Sequence, residues 1–142
     1  MCWPSGCDQT TSVTVAHHFP IRVYYEDTDM AGIVYYANYL RYIERARSDW
    51  VRETGIDQNA MRDDGLVFAV RRVEADYIAP AKFDDVLQVE TTVAQVTAAR
   101  LVLKQAVKRG DQPLFQAVVT IVCVADNGAP ARLPANIRQL LH

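Results

Sequence analysis

Tyr24-Tyr25-Glu26-Asp27-Thr28-Asp29-Met30-Ala31-Gly32-Ile33-Val34-Tyr35-Tyr36-Ala37-Asn38-Tyr39 marks the point where an extended pattern gives way to a long helical one. Before it, His18 to Tyr25 alternates, with Ile21, Val23 and Tyr25 set against Arg22 and Tyr24, which predicts a first strand. After it, from about Tyr36 to Thr54, Leu40, Ile43, Arg47, Trp50 and Val51 recur at steps of three and four. Tyr39, Tyr42 and Ala46 add apolar character on neighbouring faces, so this helix should be enclosed on more than one side. Gly55 is placed to end it in a left-handed cap. Between strand and helix, Glu26, Asp27 and Asp29 crowd a loop that turns at Gly32. Acids there would face the open amides and partial positive charge of a helix start.

The remainder reads as a helical turn or loop over 56–65, then four strands. These are Leu66 to Ile78, Val86 to Val96, Arg100 to Lys108 and Leu114 to Val124, with a short helix after Pro134. Short links favour antiparallel neighbours, because parallel pairs need crossovers of about a dozen residues. The fold class this predicts is α+β: a curved antiparallel five-stranded sheet wrapped around one long central helix. Residues 1–16 are expected to be a disordered tail and 17–142 a single domain. An open sheet leaves unpaired edges, so at least a dimer is expected.

Composition narrows the function. With 142 residues, half of them apolar, the chain has room for one domain with a substantial core. A net charge of -2 argues against a protein held to nucleic acid by phosphate neutralisation. No apolar run is long enough for a membrane span, and the polar N-terminus lacks the apolar stretch of a signal peptide, so the expected address is the cytoplasm. Cys2 and Cys7 fall in the tail, and Cys123 sits in a strand pattern as a small buried hydrophobe. Asp27-x-Asp29 faintly suggests a calcium loop, but Ala31 stands where an oxygen ligand is needed and Asn38 where a bidentate glutamate is needed, so no metal is expected.

The run from Arg22 to Asp29 with Gly32 to Tyr39, then Tyr42-Ile43-Glu44-Arg45-Ala46-Arg47 and Tyr77-Ile78-Ala79-Pro80-Ala81-Lys82-Phe83-Asp84-Asp85, resembles the hotdog-fold acyl-CoA thioesterases. Within that family the likeness is to the Tol-Pal-associated enzymes and to 4-hydroxybenzoyl-CoA thioesterase, and it spans about Phe19 to Pro134. The resemblance implies an acyl-CoA substrate, no cofactor, and a homodimer or homotetramer. It implies that Asp29 is the reacting carboxylate, as nucleophile or as general base. It places the carbonyl-polarising amides at 34–36, with the Tyr36 N–H foremost and Gly32 supplying the turn. Many relatives of the Tol-Pal type carry histidine where this chain has Tyr36; a backbone donor survives that change.

Val34, Tyr35, Glu44, Arg71 and Lys82 are further candidates for substrate contact. Glu44 either reaches the acyl pocket or pairs with Arg41 or Arg47, and the pairing is the simpler expectation. Arg71 and Lys82 are candidates for the CoA phosphates. Arg71 and its neighbour Arg72 should face opposite sides of their strand. Two competing readings are a non-catalytic acyl-CoA or acyl-carrier-protein binding module, and a dehydratase. The latter needs a histidine beside the carboxylate, and the three histidines lie near the chain ends.

Overall fold

The computed structural model describes residues 16–141. The proposed tail, with Cys2 and Cys7, therefore lies outside the described residues apart from Ala16. Strand β1 (His17–Arg22) leads through a 3-10 turn at Tyr25–Asp27 and the acidic loop into helix α1 (Asn38–Thr54). A short helix α2 (Gln58–Asp63) follows. Then come β2 (Leu66–Tyr77), β3 (Val86–Val96), β4 (Leu101–Arg109), β5 (Gln112–Ala125), a two-residue β6 (Pro130–Ala131) and helix α3 (Ala135–Leu141). The sheet order is β1-β3-β4-β5-β2, every pairing is antiparallel, and β6 adds to β5. The sheet thus has a sixth short strand beyond the five expected, and it is not closed.

Consecutive strands β1 and β2 stand at opposite edges, so the segment joining them must cross the sheet. That segment is α1. Its buried residues are Tyr39, Tyr42, Ile43, Ala46, Trp50 and Val51, and it ends on Gly55 at φ +86°, a left-handed conformation that glycine adopts without strain. Against this face pack Leu87, Val89, Leu103, Val107, Phe115 and Val119 from the sheet. Burial of each large side chain contributes roughly 1.5–3 kcal/mol. One expectation is corrected here: Leu40 is exposed and Arg47 only half-buried, so the inward stripe runs through Tyr39 and Tyr42.

A polar crosspiece joins helix to sheet inside the core. Gln105 of β4 is fully buried and its amide donates to the Ile43 carbonyl (2.9 Å) and Thr91 Oγ1 (3.0 Å). Its carbonyl oxygen accepts from Arg47 Nη1 at 2.9 Å. Burial pulls the Arg47 pKa down, and the nearby Glu44 charge opposes that.

Strand β2 is bound on one side only, by β5, and most of its residues are exposed. Val67, Val70, Val73 and Tyr77 lie along this open edge. The β2–β5 register slips between Val70 and Arg72, leaving Arg71 at a bulge. The simple alternation that would separate Arg71 from Arg72 is therefore interrupted there.

Candidate active site

The acidic loop is built by its own backbone. Asp29 N–H donates to the Ile33 carbonyl (2.9 Å), and Gly32 N–H donates back to the Asp29 carbonyl (3.0 Å). Gly32 holds φ +80°, and a Cβ there would meet no atom within 4 Å, so the position demands the left-handed turn rather than space. Asp27 shapes the loop from the other side: its carbonyl accepts from the Tyr35 N–H and from Asn38 Nδ2, both at 2.9 Å. Its carboxylate accepts the Tyr24 N–H at 2.8 Å. The loop is thereby tied to the first residue of α1.

The Asp29 carboxylate is exposed. Its Oδ1 accepts the Ala31 N–H at 2.9 Å, while Oδ2 accepts from no other described group. One oxygen is fixed, which orients the group, and the other is left without a donor among the described residues.

The three expected amides divide sharply. Val34 N–H donates to the Ala81 carbonyl (2.8 Å) and Tyr35 N–H is held by Asp27, so neither is available. Val34 is also only 3% exposed, and its side chain belongs to the core cluster. Among the described residues, the N–H groups of Tyr36 and Ala37 donate to nothing. These are the unpaired donors that every helix start leaves. Sequence reasoning singled out the first of them and missed the second.

Tyr77, at the end of β2, was also missed. Its hydroxyl donates to the Tyr36 carbonyl at 2.9 Å. Its ring packs edge-on against Tyr36, Tyr39 and Phe115. Burial, then its tyrosine neighbours, raises the Tyr77 phenol above its ordinary pKa, so it stays a protonated donor at neutral pH. The only signal in the chain was its place at the head of the Tyr77–Asp85 stretch.

The remaining candidates separate in space. Tyr35 is exposed with its ring 4.9 Å from that of Tyr36. Lys82 bridges to Ile33, beside the Asp29 loop, and its N–H is held by Asp85 at 2.9 Å. Burial would raise the Asp85 carboxyl, but that amide and the Arg109 guanidinium outweigh it and hold the pKa below its ordinary value. Arg71 stands six residues before Tyr77, roughly 20 Å back along the strand. Glu44 lines a cavity of about 180 Å³ between α1 and the sheet, with Arg47, Ser48, Trp50, Phe68 and Ile121. It makes no direct salt bridge with Arg41 or Arg47 within 4 Å, which corrects the simpler expectation; its charge still acts on Arg47, but that guanidinium is turned to Gln105. Asp29 does not line this cavity.

The described histidines serve elsewhere. His17 Nε2 lies 2.8 Å from Asp49 and 3.2 Å from Glu53 on the last turns of α1, and His18 lies 3.4 Å from Glu90. A dehydratase therefore finds no described histidine at Asp29. Cys123 is buried, and burial raises its thiol pKa, the opposite of what a nucleophile needs.

An antiparallel six-stranded sheet packed against one long helix defines a hotdog fold. A profile of the thioesterase-like superfamily matches residues 23–141. Acyl-CoA thioesterase YbgC of Haemophilus influenzae is 39% identical over 127 residues, 87% of this chain and 93% of that protein. Acyl-CoA thioester hydrolase YbgC of Escherichia coli is 36% identical over 126 residues, 87% of this chain and 94% of its own. Among solved structures, a mutant of 4-hydroxybenzoyl CoA thioesterase complexed with 4-hydroxybenzoyl CoA superposes with a TM-score of 0.83. It is 25% identical, with 89% of this chain and 99% of that one covered. The chain belongs to the thioesterase-like superfamily.

Proposed function

We propose that this chain hydrolyses acyl-CoA thioesters to a free carboxylic acid and CoA, with Asp29 as the reacting carboxylate. The observation that carries this reading is the pairing, on one short segment, of a half-tethered carboxylate with two unspent amides. The thioester oxygen sits on the Tyr36 and Ala37 N–H groups, which stabilise negative charge as it develops. In other enzymes one such donor is worth about 2.7–4 kcal/mol. Asp29 Oδ2 then attacks the carbonyl carbon, expelling CoA thiolate and leaving an anhydride that water hydrolyses. Alternatively it takes a proton from a water that makes the same attack. Either route ends in acid and thiol. Tyr35 borders the acyl group, and Lys82, beside the loop, faces the CoA phosphates.

The exposure of Asp29 in the single chain is relieved by a second copy. Antiparallel pairing of β2 with its two-fold mate covers the open edge and sets the end of one β2 against the start of the other. Tyr77 and the helix start of one protomer then approach the cavity lined by Glu44 and Phe68 in its partner. Val73, 39% exposed near the middle of β2, is the position to test. Val73→Asp places like charges close together across the two-fold. It is expected to give a monomer by light scattering, with thiol release lost alongside; a dimer that persists would move the interface elsewhere.

The reading as a whole is tested by thiol release from acyl-CoAs with short, long and aromatic acyl groups. Turnover on at least one is the expected result. Binding without turnover on all of them would favour the non-catalytic module.

A further inference from the structure

The geometry points to Tyr77 as a positioning residue that fixes the direction of the carbonyl-polarising amides, an inference that rests on the hydrolase reading above. A trans peptide is planar, so its C=O and N–H point in opposite directions and holding one end aims the other. The two free N–H groups belong to consecutive peptides. The first joins Tyr35 to Tyr36, and its carbonyl is held by the Asn38 N–H at 2.8 Å. The second joins Tyr36 to Ala37, and its carbonyl is held by the Tyr77 hydroxyl at 2.9 Å.

These two anchors differ in kind. The Asn38 bond is local, a tight turn closed between residues three apart. The Tyr77 bond reaches across 41 residues, from the end of an edge strand to a carbonyl that no other described residue holds. Tyr36 itself is 62% exposed and offers no buried side chain to fix the turn. Tyr77, by contrast, is braced by Tyr39 and Phe115, whose stacked rings are 5.1 Å apart and buried. The rigid core is thus extended through one phenol to the peptide that must not move when charge develops on the substrate. Tyr77 touches no reacting atom in this scheme; it acts through the Ala37 N–H.

Tyr77→Phe deletes only the hydroxyl and keeps the ring. It is expected to lower kcat about 10-fold, between the small cost of a remote change and the 10²–10³-fold loss of a donor itself. KM should stay within about 2-fold and the melting temperature close to that of the wild type, because ring packing is retained. In an amide NMR spectrum the Ala37 resonance should shift while those of Val34 and Tyr35 stay. Tyr77→Leu separates packing from positioning. If Tyr77→Phe keeps full kcat and an unmoved Ala37 resonance while only Tyr77→Leu is impaired, the ring is a packing element and the inference fails. If wild type releases no thiol from any acyl-CoA, the hydrolase reading falls and this one with it. If wild type is active, Asp29→Asn is inactive and Tyr77→Phe keeps wild-type kcat, the positioning role alone is removed.

Discussion

Asp29→Asn is expected to lower kcat for acyl-CoA hydrolysis by about 10³-fold or more, the largest functional effect of any single substitution in this chain. An amide neither accepts a proton at neutral pH nor attacks a thioester, so both routes open to the carboxylate close together. Geometry makes the substitution clean. The asparagine oxygen can still accept the Ala31 N–H, and the turn through Gly32 depends on backbone bonds that remain. The melting temperature should accordingly change by no more than about 2 °C, since an exposed polar exchange usually costs within about 0.5 kcal/mol. Thiol release and a thermal melt on the same preparation check both halves. A mutant with near-wild-type turnover would remove Asp29 from the chemistry; one that is inactive and unfolded would mean that the residue supports the loop instead.

Gln105→Leu is expected to destabilise the fold by about 1–3 kcal/mol, the largest stability effect among polar positions. The side chain is close in volume, so little cavity is created. What is lost is the set of bonds to Arg47, Ile43 and Thr91 around a side chain that is fully buried. The Arg47 guanidinium, already disfavoured by burial, would keep its charge and lose its acceptor. Breaking a buried polar network from one side costs more than the net worth of the bonds, because the abandoned partners remain desolvated. Denaturant unfolding measures it directly. A double variant that also replaces Arg47 with Met should recover part of the loss, since it removes the stranded charge. Equal stability in wild type and Gln105→Leu would show that the crosspiece contributes nothing.

Much of the architecture was legible in local pattern. β3 carries Leu87, Val89 and Thr91 inward as its alternation requires, and Gly55 caps α1 at the residue where the helical period stops. The loop around Asp29 was legible because acids, a glycine and a helix start lie within sixteen consecutive residues. The phase of α1 was less so. Tyr39 and Leu40, or Ala46 and Arg47, are adjacent choices in a helix with apolar residues on several faces, and only the sheet beneath decides between them. The two-residue β6 carries too little pattern to register. Tyr77 and Gln105 were out of reach for a different reason. Their partners lie 41 and 62 residues away in the chain, and a buried glutamine in a strand looks like surface until its helix is docked. Glu44 shows the converse error: helical spacing offered it Arg47, and a long-range acceptor took that arginine instead.

The central claim is that a thioester carbonyl lies between the Asp29 carboxylate and the amides of Tyr36 and Ala37. A crystal structure of the chain with a non-hydrolysable acyl-CoA analogue tests it most directly. The carbonyl oxygen is predicted within about 3 Å of both amide nitrogens, with Asp29 Oδ2, or a water it holds, about 3–3.5 Å from the carbonyl carbon. An analogue whose carbonyl lies elsewhere, with Asp29 left facing solvent, would contradict the account.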